Sequence, residues 1–166
     1  MTIAQSLLGE FDHEMANTRK TLARIPDAKF AYKPHPKSMS MGDIAAHIVH
    51  MIGWAIVTVE KDNFDFAPGG KMVEMPKYKN TAELLKAFDA DLPKARAAIA
   101  GVPDAAMMKE WALLNNGQVV FKMPRIATLR SMIFNHIIHH RAQLAVYLRM
   151  NDLPVPALYG PSADEK

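Results

Sequence analysis

The chain has no cysteine. That absence excludes disulfides, thiolate metal ligands and a cysteine nucleophile together, so any thiol used in its chemistry has to be brought in. There is no basic block either. Lysine and arginine number 20 against 17 aspartates and glutamates, giving a net charge of +3, and they are scattered among the acids with no aromatic platform beside them. Nucleic acid, which needs a concentrated positive face, is therefore not an expected partner. No uninterrupted apolar run approaches the ~20 residues of a membrane span. The N-terminus, Met1-Thr2-Ile3-Ala4-Gln5, lacks the basic region and continuous apolar stretch of a signal peptide. These absences predict a cytoplasmic protein with no membrane segment. With no internal repeat and 166 residues, the expectation is one domain over 1–166 with a core of its own.

What is present is a set of four long stretches, each with apolar residues spaced by threes and fours. Thr2 can cap a helix running to about Arg24, with Ile3, Leu7, Phe11, Met15, Thr18, Leu22 and Ile25 on one face and Pro26 to stop it. His13, between Asp12 and Glu14, lies off that face and reads as solvated. The segment 30–37 carries two prolines and reads as an extended connection. Ser40 and Asp43 form a capping box that opens a second helix, whose face is Ile44, His47, Ile48, Met51, Ala55 and Val59. His50 and Trp54 fall on its polar edge. Lys61 to Lys79 has no period and is expected to be a crossover loop. Asn80 starts a third helix with Leu84, Leu85, Phe88, Leu92, Ala95 and Ile99 inward, and Pro93 predicts a kink or break near 89–92. Asn116-Gly117, between two β-prone runs, predicts a small two-stranded hairpin before the last helix. The reading is an all-α four-helix bundle with that β-hairpin excursion. The twelve methionines are expected to fill gaps in its core.

The last helix, from Pro124 to Met150, organises the rest. At about 100° per residue, Ile126, Leu129, Ile133, His136, Ile137, His140, Leu144, Tyr147 and Leu148 share a stripe roughly 120° wide. His136 and His140 are one turn apart, so their rings can point at a common atom, while His139 falls outside the stripe. Imidazoles among leucines and isoleucines need partners. Each is either a core histidine bonded to a neighbouring helix or a metal ligand, and a third histidine on an apolar face, His47, favours the metal. Three neutral imidazoles hold a divalent first-row ion and leave positions open, with zinc suited to tetrahedral and nickel, manganese or iron to higher coordination. Arg141 and Gln143 flank the stripe, and each either orients a ligand or makes a helix-surface pair.

Taken together, the run 33–40 leading into Ala46-His47-Ile48, Asn135-His136-Ile137-Ile138-His139-His140-Arg141-Ala142-Gln143-Leu144, and Val155-Pro156 with the tail from Tyr159 to Glu165 resemble the DinB/YfiT-like family, which is unrelated to the DNA polymerase sharing the DinB name. The resemblance covers nearly the whole chain. It implies an up-down-down-up bundle, a homodimer, and a metal site at His47, His136 and His140. It also implies an enzyme acting on a small-molecule substrate with a low-molecular-weight thiol such as mycothiol, bacillithiol or glutathione, in S-transfer or isomerisation. A metal-dependent hydrolase and a non-enzymatic metal-binding stress-response protein are the alternatives. The tail is expected to fold over the bundle or a partner.

Overall fold

A computed structural model describes residues 1–166. Three helices of twenty residues carry much of the chain: α1 (Ile3–Leu22), α2 (Met41–Glu60) and α3 (Thr81–Ala100). Each starts where a polar side chain satisfies a first-turn amide that would otherwise lack a partner. The Thr2 hydroxyl accepts from the Gln5 amide at 3.1 Å, the Ser40 hydroxyl from the Asp43 amide at 3.1 Å, and the Asn80 side chain from the Glu83 amide at 2.8 Å. The first two are capping boxes, closed by Gln5 and Asp43 reaching back. α3 runs unbroken through Pro93, so the expected break does not occur; the proline lies on the exposed face.

A short α4 (Asp104–Met107) leads into the sheet, and the last helical segment is composite: α5 (Arg125–Thr128), a π-helical stretch over Leu129–Phe134, and α6 (Asn135–Arg149). The π-helical stretch corrects the expectation of one regular stripe. In it the Asn135 amide donates to the Arg130 carbonyl, five residues back. The extra residue in that turn shifts the phase of the helix. Arg125 and Thr128 are buried beside the expected Leu129 and Ile133, Ile126 is only partly buried, and the buried pairs Thr128 with Ile133 and Leu129 with Phe134 are five apart.

α1 and α2 each pack against α3 on one side and α6 on the other, around one core. Phe11 and Phe134 meet there with ring centroids 5.7 Å apart. Met15, Met41, Met51 and Met107 are fully buried, as gap-filling predicts, but Met72, Met108 and Met150 are exposed. By length and composition α2 is apolar enough to cross a membrane, but half of its most apolar window is buried inside the protein, as in a core helix.

The β-structure is larger than the expected hairpin. β2 (Glu110–Asn115) and β3 (Gln118–Pro124) are antiparallel around Asn116-Gly117, and β1 (Asn63–Asp65), from the stretch expected to be an unstructured crossover, adds in parallel to make a three-stranded sheet ordered β1-β2-β3. Asn116 and Gly117 both take positive φ, 50° and 75°, as a two-residue hairpin turn of this hand requires. Asp65 fixes that turn by accepting from the amides of Asn116 at 3.0 Å and Gly117 at 2.7 Å. The buried Arg125 guanidinium ties the sheet to the helices, donating to the carbonyls of Thr58 and Lys61 and to the Asp62 carboxylate.

Candidate metal centre

The packing of α6 on α2 brings together the three histidines that spacing picked out. His47 lies in the second turn of α2, and His136 and His140 occupy the first two turns of α6, directly after the π-helical stretch. Their Nε2 atoms converge: His47 to His136 is 3.3 Å and His136 to His140 is 2.8 Å. One nitrogen from each ring lies within 4.8 Å of the others, and all three rings are half-buried.

A partner on the far side of one ring decides which nitrogen carries the proton. The Nδ1 of His140 is 2.8 Å from Oε1 of Gln143, an atom that only accepts, so Nδ1 is the donor and Nε2 keeps its lone pair. The backbone of Met132 favours the protonated form of His136, against its burial. His47 turns Nδ1 toward the sulfur of Met75 at 3.3 Å, a weaker acceptor.

Electrostatics keep the rings neutral. Burial pushes the pKa of His47 down to about 4, with the neighbouring histidines adding to the effect. Burial also lowers His136 and His140, against the opposing pull of the Met132 and Gln143 bonds.

The donor set fits a metal ion. Bonds of about 2.0–2.1 Å place nitrogens on neighbouring coordination positions ~3.0 Å apart in an octahedron and ~3.4 Å apart in a tetrahedron. The observed 3.3 Å falls within that range and the observed 2.8 Å just below it. Two imidazole nitrogens facing each other at 2.8 Å need a proton or a metal cation between them. Neutral imidazole suits zinc, nickel, copper and iron, and the cluster contains no carboxylate. Three ligands complete no common geometry, so an ion held here keeps positions for substrate or water.

The remaining candidates separate. His50, half-buried at the edge of α2, accepts from the Trp54 indole at 3.0 Å, and Trp54 packs on Phe64 at 5.0 Å. His139 is exposed and flanks His140, and His13 is exposed on α1. Gln143 takes the orienting one of its two expected roles. Arg141 takes neither of its own. It is 1% exposed and pairs at 2.7 Å with Glu14, itself buried on α1, while also donating to the Glu14 carbonyl and the Thr18 hydroxyl. Tyr159 closes this pair, donating to the Glu14 carboxylate at 2.7 Å and accepting from Arg141.

The tail does fold onto the helices, held also by Arg149 to Asp164 and Arg24 to Glu165. It lies on the α1 side of α6, whereas the histidines face α2, so it does not cap them. Spacing missed Met75, since nothing in an exposed loop with proline and glycine marks one methionine for a position against a buried ring.

No protein of curated function matches this sequence. Two solved structures show the same fold. A DinB-like protein from Bacillus cereus ATCC 10987 is 22% identical and superposes with a TM-score of 0.70, covering 93% of this chain and 97% of its own. The DinB-like protein YjoA from Bacillus subtilis is 20% identical with a TM-score of 0.68, covering 90% and 96%. The model of the DinB family matches residues 1–166, and the chain therefore belongs to the DinB family.

Proposed function

We propose that the protein is a divalent-metal-dependent enzyme that uses a low-molecular-weight thiol to attack a small electrophilic substrate. The observation that carries this reading is the convergence of three neutral Nε2 atoms, at coordination distances, on one point beside α2 and α6. A divalent ion bound by His47, His136 and His140, zinc or nickel ahead of manganese or iron, supplies an open Lewis-acid position that lowers the pKa of a thiol. The chain's own part is to hold that position. Gln143 fixes the His140 tautomer, and the absence of cysteine keeps the protein from supplying a competing thiolate. In S-transfer the thiol gives its proton to solvent as the new S–C bond forms and the bond to the leaving group breaks. The up-down-down-up order of a four-helix bundle, a cytoplasmic location and a homodimer belong to the same reading. The packing of α1 and α2 between α3 and α6 supports the first of these.

The test is metal content by mass spectrometry on untagged wild type and His136→Ala, followed by thiol consumption with a chloronitroarene as acceptor. About one equivalent of metal in the wild type, none in the variant, and metal-dependent loss of glutathione, bacillithiol or mycothiol support the proposal. Bound metal with turnover of an ester and no use of thiol would replace it with a hydrolase. Bound metal with neither activity would leave a metal-binding protein.

A further inference from the structure

Next to the histidines lies a cleft of about 960 Å³. Its floor is the first turns of α2 at Gly42 and Ala46, one wall is Phe30, and the other is Met75, Pro76 and Tyr78 from the segment that leads into α3. Phe30 lies hard against α2 because Gly42 has no side chain. A Cβ there would fall 2.7 Å from the Phe30 ring.

Two links join the cleft to the candidate centre. Ala46 directly precedes His47, and the Met75 sulfur is 3.3 Å from the His47 Nδ1. The Met75 side chain therefore stands between the cleft and the outer edge of the His47 ring. A ligand extending from it toward the cluster has to pass Met75 and the His47 imidazole.

The chemistry of the walls decides what fits. The start of α2 offers no anion site, because its amides are used: Met41 donates to Tyr32, Gly42 to Phe30, Asp43 to the Ser40 hydroxyl and Ile44 to the Ser40 carbonyl. The charged lining residues Asp43, Glu74 and Lys77 are all exposed and mixed in sign, so they create no strong field of either sign. What remains is two aromatic rings, a thioether and a proline ring, surfaces that favour flat apolar groups.

We infer that this cleft binds the aromatic end of a small substrate whose polar end is held at the three histidines. The inference rests on reading His47, His136 and His140 as metal ligands, and the test separates the two. Zinc-loaded protein is titrated calorimetrically with acetohydroxamate, which offers only a metal-binding head, and with 3-phenylpropanohydroxamate, which adds an aromatic ring on a short linker. The expected result is binding about tenfold or more tighter for the aryl probe, in line with burial of one aromatic ring. Tyr78→Ala is expected to remove most of that advantage and Tyr78→Phe to keep it, both leaving acetohydroxamate binding unchanged and so showing the centre intact. Equal affinities in the wild type, or an aryl advantage that survives Tyr78→Ala, would overturn the cleft while leaving the metal centre standing. Failure of both probes to bind would overturn the metal reading and the cleft with it.

Discussion

The Nε2 atoms of His136 and His140 face one another at 2.8 Å while Gln143 holds the opposite nitrogen of His140. One turn of α6 thus carries two candidate ligands and, three residues on, the group that aims one of them. With His47 opposite, an ion held by the three rings would stabilise only the folded chain.

Metal addition should therefore raise thermal stability. At an ion concentration a hundred times Kd the gain is about 2.7 kcal/mol, which for a chain of this size moves the midpoint by roughly 5–10 °C. Differential scanning calorimetry with and without zinc measures it. His136→Ala should show no such shift, and an equal shift in that variant would place the ion elsewhere.

Gln143 acts on the centre through His140. Gln143→Leu should weaken metal affinity by about 10- to 100-fold, the usual effect of removing the partner that orients a ligating histidine. Gln143→Glu keeps an acceptor at that position and should keep the affinity. Competition against a chromophoric chelator reads both. Unchanged affinity in the leucine variant would make the contact incidental.

The histidine cluster was legible because helical period is a strong constraint. Residues four apart on α6 must share a face, and His47 on the apolar stripe of α2 needed only the α2–α6 pairing. Gln143 was legible as a neighbour at three-residue spacing but not as the chosen one of two flanks. Arg141, the other flank, was misread because its partner is distant in sequence. Glu14 sits on α1 in a row with Phe11 and Thr18 at helical spacing, which was the available signal that a carboxylate faces inward. The π-helical stretch has no sequence signature, so the expected stripe caught Leu129 and Ile133 but missed the burial of Arg125, Thr128 and Phe134. β1 is three residues long, too short for periodicity to reveal, and exists because Asp65 bonds the turn at Asn116-Gly117.

Acid should destabilise the metal-free protein over a defined window. His47 in the folded chain titrates at about 4, well below the 6.5 of an unfolded histidine, and His136 and His140 are lowered as well. Between those limits the unfolded chain binds more protons, so stability falls as pH drops from 6.5 toward 4 and is fully present above 6.5. Thermal midpoints in chelator at pH 7.5, 6 and 5 test this. His47→Gln should flatten the slope, and an unchanged slope would assign the acid sensitivity to other groups.

The buried pair of Glu14 and Arg141 makes the sharpest stability prediction. Glu14→Ala leaves a guanidinium that is 1% exposed without its counter-charge, and breaking such a pair from one side costs about 3–5 kcal/mol. Replacing both partners with apolar groups removes the stranded charge, so Glu14→Ala combined with Arg141→Met should recover most of the loss. Tyr159→Phe removes one donor to the carboxylate and should cost about 1 kcal/mol. Urea unfolding of the four proteins gives the comparison. If the tail through Tyr159 is what seals the pair from water, Glu14→Ala should also expose the tail to proteolysis after Pro156, because the phenol then loses its acceptor. A double variant no more stable than Glu14→Ala alone would mean that the carboxylate contributes chiefly through Tyr159 and the tail rather than through Arg141.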